Sequence, residues 1–244
     1  ECVILHKQKT KKRAEREVQR IEMNIPNLIE QGNGEINRDS ARGLFYLGNT
    51  LLDSGDHDGA EKAYLHYLEI SEWNDERYQA RIHLCGCYML QGKFADAEKH
   101  ARLAITESGQ WHRAEGYMIL SDCALAKGDI IEAIHWIQIA IQCKPQVNGL
   151  FLQGHLYTWF PHWRLALIMD RLGFYRDALR HIEIAAQWRP APEILIGAKI
   201  LNDYILNLQS RGQNVPDFME AEPFVPIYHI SEENALNRLG INAG

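Results

Sequence analysis

The sequence lacks the short motifs that mark the common enzyme classes. None of its 11 histidines forms a His-x-x-x-His or His-Glu-x-x-His pair. A Gly-x-Ser-x-Gly elbow, a Walker loop and a Gly-x-Gly-x-x-Gly strand turn are also missing. We therefore predict no catalytic residue, no metal site and no cofactor within these 244 residues. Whether the parent protein is an enzyme stays open at this point.

Long apolar runs and a strong charge of one sign are also missing. No stretch approaches the ~18 consecutive apolar residues of a membrane span, and no signal-peptide core follows the basic start. The formal net charge of -6 argues against a general affinity for nucleic acid, which needs a clustered positive field. We expect neither a membrane span nor a nucleic-acid partner.

Cysteine is scarce and odd in number, which excludes a complete disulfide framework. Cys85 and Cys87 in "HLCGC" invite a zinc site. On a helix, however, residues two apart point in different directions, whereas ligand pairs need a loop or a spacing of three or four. These thiols are predicted to pack in a core, and a reducing cytoplasm is the expected location.

A repeat organises most of the chain. A leucine is followed by a small residue, then by a glycine eight positions after the leucine, then by an alanine five positions later. The glycines are separated by 37, 36 and 45 residues. These repeat positions are Leu47, Gly48, Gly55 and Ala60; Leu84, Cys85, Gly92 and Ala97; Leu120, Ser121, Gly128 and Ala133; and Leu165, Ala166, Gly173 and Ala178. The spacing resembles that of the tetratricopeptide repeat, whose unit has ~34 residues.

Each repeat predicts a helical hairpin. Apolar residues recur at helical spacing on both sides of the glycine, which ends the first helix in a left-handed conformation. The predicted fold class is all-α, a right-handed α-solenoid of about four tetratricopeptide-like hairpins with a leading helix and a C-terminal capping helix.

The expected organisation follows from these repeats. Residues 1–36 are a leading helix, and 37–190 hold the repeats. The four repeats are predicted at 38–73, 75–110, 114–147 and 159–190. The remaining segments are an insertion at 146–158, a capping helix at 191–211 and an extended tail or linker at 212–244.

The acidic pair in "SGDHDGAEKAY" raises the alternative of a metal-binding Asp-x-Asp motif. Asp129 follows Gly128 as Asp56 follows Gly55, so the acid recurs with the repeat. A residue that recurs at helix starts is expected to cap free backbone N–H groups. We therefore interpret Asp56 and Asp58 as turn and cap residues.

A binding role follows from the solenoid, in which first helices line the inner curve. Repeat positions two, five, nine, twelve and thirteen are expected to point inward and to bind a protein or peptide. The predicted partner-binding residues are Arg42, Phe45, Asn49, Gln79, Ile82, Met89, Glu115, Met118, Asp122, Phe160, Trp163 and Arg171. Because Glu115 and Asp122 would repel a carboxylate, a grip on an acidic C-terminal tail is disfavoured.

Two segments carry a closer resemblance. "RGLFYLGNTLLDSGDHDGAEKAYLHYLEISEWNDERYQA" and "HRAEGYMILSDCALAKGDIIEA" resemble the tetratricopeptide region that follows the catalytic domain in bacterial family-two glycosyltransferases. The matching positions are Arg42, Phe45, Tyr46 and Leu47; Trp73, Asp75 and Glu76; and Arg113, Ala114 and Glu115. "GLFLQGHLYTW" resembles the insertion before that family's last unit.

That resemblance covers about 38–190 and implies a function. The chain would be the non-catalytic, acceptor-binding region of a glycosyltransferase, with residues 1–36 as the end of an upstream catalytic domain. The alternative is a free-standing adaptor that joins protein partners without sugar chemistry. The two hypotheses stay open on the sequence alone.

Overall fold

The computed structural model describes residues 12–13, 15–20, 22–23, 38–107, 112–145 and 152–218. Within these ranges every regular element is a helix, so the predicted all-α fold class is confirmed. The helices are α1 Arg38–Ser54, α2 His57–Ile70, α3 Asn74–Leu90, α4 Phe94–Glu107, α5 Ala114–Lys127, α6 Ile130–Gln142, α7 Trp159–Leu172, α8 Tyr175–Trp188 and α9 Pro192–Ser210. A 3-10 helix, Gly154–Tyr157, precedes α7.

The chain divides into two compact units, residues 1–110 and 111–244. In the first unit, α1 packs on α2 and α3 packs on α4, and α2 joins the two hairpins through its contact with α3. In the second unit, α5 pairs with α6 and α7 with α8, while α6 packs on α7 and α9 packs on α8. Each unit is thus a stack of helical hairpins, as the repeat predicts.

The hinge between the two helices of each hairpin has one backbone geometry. Gly55, Gly92, Gly128 and Gly173 all have a positive φ, between 73° and 86°. In each case the residue after the glycine donates its N–H to the carbonyl four residues before the glycine, at 2.8–2.9 Å. This Schellman-type closure satisfies carbonyls that the helix end leaves free, and only glycine adopts it without steric cost.

The helix after the hinge begins with the predicted aspartate cap in two hairpins. Asp56 Oδ1 accepts from the Gly59 N–H and Asp129 Oδ1 from the Glu132 N–H, both at 2.9 Å. Asp58 lies in the first turn of α2, where a negative charge stabilises a helix start. No cluster of three or more potential metal ligands occurs in the part of the chain that the structure describes.

Small side chains at the repeat positions let the paired helices approach closely. A Cβ on Gly48 would lie 2.6 Å from the ring of Tyr64 in α2. Cys85 is fully buried, and its thiol donates to the Ala97 carbonyl at 3.2 Å. Among the described residues, Cys85, Cys87, Cys123 and Cys143 are buried free thiols, so the packing role predicted for the "HLCGC" pair is confirmed.

Other predicted segments are described in part. In the leading segment, residues 12–13, 15–20 and 22–23 are helical, and the rest of 1–36 lies outside the described residues. The first part of the insertion, 146–151, and most of the tail, 219–244, also lie outside them. None of the helices in the described part of the chain has the length and apolar character needed to cross a bilayer.

The hinge geometry gives the first testable prediction. Replacing Gly92, at φ +73°, with Ala forces a side chain into the left-handed region and should lower the free energy of unfolding by about 1–2 kcal/mol. The matched control is Gly86→Ala, in the middle of α3, the helix that Gly92 follows. A Cβ at Gly86 also meets open space, so this variant should be neutral or slightly stabilising. Urea unfolding of both variants measures the difference, and equal stabilities would contradict the hinge role.

Candidate functional site

In the first unit, an arginine on α1 covers a buried carboxylate on α3. The Arg42 Nε lies 3.2 Å from Glu76 Oε1, and the side chains are 41% and 1% exposed. The guanidinium also lies 5.2 Å from the ring centroid of Trp73. On its other oxygen Glu76 accepts from the Tyr67 hydroxyl at 3.0 Å, which itself accepts from Ser71 at 2.8 Å. Arg42 therefore neutralises a buried charge, since an unpaired buried carboxylate is costly.

A second polar cluster joins α1, α2 and α3. The Tyr64 hydroxyl donates to Asn49 Oδ1 at 2.7 Å, and His83 Nδ1 lies 2.8 Å from the same oxygen. His83 Nε2 lies 2.7 Å from Gln79 Nε2. These distances fit a neutral imidazole that donates from Nδ1 to Asn49 and accepts from the Gln79 amide. Burial lowers the pKa of His83 to about 4, which also favours the neutral ring.

Three groove residues predicted in this unit lie in the core instead. Phe45 is fully buried, and its ring contacts those of Tyr64 and Tyr67 at centroid distances of 6.3 and 5.5 Å. Ile82 and Gln79 are buried as well. The physical reason is that position five of these two repeats, Phe45 and Ile82, faces the neighbouring helices, while the Gln79 amide is turned towards His83. Arg42, Asn49 and Met89 keep partial exposure.

In the second unit, Glu115 anchors the segment before α7. Its carboxylate pairs with Arg113 at 3.3 Å and accepts from the Tyr157 hydroxyl at 2.8 Å and from the Gln153 N–H at 3.3 Å. Both members of the Arg113–Glu115 pair are almost fully buried. The predicted groove residues Glu115 and Met118 are thus core residues, and Glu115 holds the 3-10 helix against the start of α5.

A continuous row of partly exposed side chains connects α5 with α7. Asp122 accepts from Arg164, and the two side chains are 35% and 25% exposed. The Arg164 guanidinium lies 6.0 Å from the ring centroid of Phe160. Phe160 meets Trp163 at 5.7 Å, and Trp163 meets Trp159 at 6.1 Å. We call these five residues the α5–α7 surface.

The α5–α7 surface is held in place from its ends. Arg189, just after α8, lies 4.4 Å from the Trp159 ring centroid, and His155 contacts Phe160 edge-on at 5.4 Å. At Asp122, burial raises the carboxyl pKa, although the neighbouring Arg164 opposes the shift. The structure therefore brings together three predicted residues, Asp122, Phe160 and Trp163, whereas Arg171 lies exposed near the end of α7.

Two important side chains were missed by the groove prediction. Arg164 follows Phe160 by four residues, a spacing that places both on one side of a helix and could have indicated their contact. His83 lies at a repeat position outside the assumed inward set. Its contact with Asn49 depends on the packing of α3 against α1 and α2, which no local pattern shows.

The comparisons with known proteins agree with the fold of stacked helical hairpins. The family model described as "Tetratricopeptide repeat" matches residues 47–110. Among solved structures, the chain is similar to the crystal structure of the MamA protein, with a TM-score of 0.51 and 20% sequence identity over 78% of this chain and 96% of that chain. No curated protein matches the chain. The likeness to MamA supports the fold.

The His83 cluster predicts an acid-sensitive stability. A folded-state pKa of about 4, below the unfolded value of about 6.5, means that stability from neutral His83 is complete above pH 6.5 and is lost as the pH falls towards 4. Replacing His83 with Gln should therefore reduce the loss of unfolding free energy between pH 7 and pH 4.5 by about 2 kcal/mol.

Chemical denaturation at several pH values measures this loss. The variant His135→Gln, on an exposed position of α6, serves as the control and should follow the wild-type profile. An unchanged profile in the His83 variant would contradict the assignment of the neutral ring.

Proposed function

We propose that this chain is a non-catalytic protein-binding scaffold of the tetratricopeptide type, whose partner lies against exposed positions of the first helices. The observation that carries the proposal is the α5–α7 surface, where an ion pair and three large rings form one connected row. The repeat match and the MamA-like fold support the same class.

The residue types on this surface suit recognition. Tryptophan and arginine are enriched among side chains that dominate binding energy, particularly where neighbours hold them in place. The rings of Trp159, Phe160 and Trp163 meet one another at angles between 45° and 83°. Rings that are already held by their neighbours lose little conformational freedom on binding, which favours affinity.

In each unit taken separately, the proposed binding positions are the predicted residues that keep exposure. These residues are Arg42, Asn49, Met89, Asp122, Phe160, Trp163 and Arg171. The other five, Phe45, Gln79, Ile82, Glu115 and Met118, support the helices from within.

The ion pairs at the proposed binding positions of each unit restrict the partner chemistry. Arg42 is paired with Glu76, and Arg164 is paired with Asp122. A partner carboxylate would have to displace an existing ion pair in either place. We therefore favour a peptide segment with apolar or aromatic side chains over an acidic tail.

The finer proposal is that the chain is the acceptor-binding region of a glycosyltransferase. It rests on the resemblance of the Arg42, Trp73 and Arg113 motifs to those of bacterial family-two enzymes. Arg42, Trp73 and Glu76 come together in the first unit, while Arg113 and Glu115 pair in the second. A cytoplasmic location is part of this proposal, because the four described thiols are free.

The reading frame upstream of Glu1 separates the finer proposal from its alternative. A nucleotide-sugar-binding domain encoded there supports the transferase assignment. A start codon directly before Glu1 would contradict it and would leave the free-standing adaptor.

The binding surface gives the third prediction. Trp163→Ala should lower affinity for the partner at least tenfold, because it removes the central ring of the α5–α7 surface. Trp188→Ala is the matched control, since Trp188 is 63% exposed at the end of α8 and is not part of this surface. Quantitative affinity capture with wild-type and both variants measures the difference for each recovered protein.

Proteins that bind the scaffold through this surface should be lost from Trp163→Ala and retained by Trp188→Ala. Circular dichroism confirms that both variants are folded. Equal recovery of every protein by all three chains would contradict the α5–α7 surface as the binding site.

A further inference from the structure

The stretch that follows the end of α9 returns to the start of α8. Residues 213–218, which we call the returning segment, include Val215, a side chain that is almost fully buried. The Phe218 N–H donates to Asp177 Oδ2 at 2.6 Å, and the Phe218 ring meets that of Phe174 edge-on at 5.1 Å. The contact of the returning segment with α8 therefore combines apolar packing with a hydrogen bond to a carboxyl group.

One arginine of α8 holds a carboxyl group from each side of this contact. Arg180 Nη1 lies 2.8 Å from Asp177 Oδ1, and Arg180 Nη2 lies 2.6 Å from Asp217 Oδ2. The two aspartate side chains are 2% and 6% exposed, whereas that of Arg180 is 54% exposed. A single guanidinium thus faces two buried carboxyl groups. If both are ionised, one buried negative charge stays in excess, which is costly away from water.

A shared proton removes this excess charge. Burial and a hydrogen bond with the Asp217 side chain raise the pKa of Asp177 to about 6, although the Phe218 N–H and the Arg180 charge act in the opposite direction. Two carboxyl groups can bond to each other only if one of them carries a proton, and such pairs bind that proton at a raised pH. The contact is therefore complete when the Asp177–Asp217 pair holds one proton.

Two histidines lie beside Arg180 and titrate in a different range. His181 follows Arg180 in α8, and its Nδ1 lies 2.9 Å from Nδ1 of His162 in α7. Burial, His162 and Arg180 lower the pKa of His181 to about 4, and burial also lowers the pKa of His162. These imidazoles are shifted towards acidic pH, whereas the carboxyl of Asp177 is shifted upwards.

From α9, a tyrosine reaches the same end of α8. The Tyr204 ring meets that of Tyr175 edge-on at 4.9 Å. A hydrogen bond with Tyr204, together with burial, raises the pKa of Tyr175, so the Tyr175 hydroxyl is neutral near pH 6. It therefore adds no change of charge beside the aspartate pair in this pH range.

We propose that the Asp177–Asp217 pair is a proton-dependent latch, which fastens the returning segment to α8 when the pair holds one proton and loosens it when both carboxyl groups are ionised. Loosening exposes Val215 and the rings of Phe174 and Phe218, so the latch controls whether this apolar contact is covered.

The direction of the pH effect follows from linkage. The pKa of Asp177 in the docked state, about 6, lies above the ordinary aspartate value of about 3.9. The stabilisation of the docked state by the proton is therefore complete below pH 3.9 and is lost as the pH rises through 6. Between pH 5 and pH 7.5 the ratio of docked to released segment should fall about tenfold.

Hydrogen exchange of the whole chain, detected by NMR, tests the latch. The protection factor of the Phe218 amide, which is corrected for the intrinsic pH dependence of exchange, should fall about tenfold between pH 5 and pH 7.5. In Asp217→Asn the side-chain amide donates to Asp177 without a titrating proton, so the protection factor should change less than about threefold. The Lys93 amide, hydrogen-bonded to the Tyr88 carbonyl in the hinge after α3, is the internal control and should not follow this change.

A second variant and a second measurement separate the aspartates from the histidines. His181→Gln should keep the tenfold change, and a carboxyl carbon-13 titration should give Asp177 a lower pKa in Asp217→Asn than in wild-type. An unchanged protection factor in wild-type, a tenfold change that persists in Asp217→Asn, or a pH effect that disappears in His181→Gln would overturn the proposal. An equal pKa of Asp177 in wild-type and Asp217→Asn would do the same.

Discussion

The turn that the chain makes after each first helix determines the rest of the structure. A left-handed glycine closes the helix with two backbone hydrogen bonds and sends the chain back antiparallel. Because the return begins at the same distance from the same leucine in each hairpin, the small residues Gly48 and Cys85 lie against the second helix, at Tyr64 and Ala97 respectively. Packing within both units follows from this one local constraint.

Local patterns predicted the hairpins because they depend on residues that are close in sequence. The glycine, the alanine and the aspartate cap each act within one or two turns of a helix. Side-chain exposure depends on distant neighbours and was harder to predict. Phe45 was expected in a groove, yet the rings of Tyr64 and Tyr67 enclose it. The connection of Asp122 to the aromatic row needed Arg164, 42 residues away, which the spacing within α7 alone could only suggest.

Within each unit, a buried carboxylate links separate helices. Glu76 joins α1, α2 and α3 through Arg42 and Tyr67, and Glu115 fixes the 3-10 helix through Tyr157. Removing one partner of such a cluster is far more costly than exchanging a surface pair, because the remaining charge has no water to solvate it. These residues therefore hold in position the surfaces next to them, among them the partly exposed rings of α7 that we propose as the partner contact.

The hinge recurs after α9, where Gly212 has a φ of +71° and the Gln213 N–H donates to the Leu208 carbonyl at 3.0 Å. This recurrence affects how such a chain changes over evolutionary time. Since every first helix ends with the same backbone closure, a duplication or deletion of one whole hairpin would join compatible ends at any of the five hinges. The chain could then lengthen or shorten by whole hairpins, while the contacts between neighbouring hairpins kept the same geometry. The last helix that the structure describes, α9, ends with the same closure and so offers one such joining point.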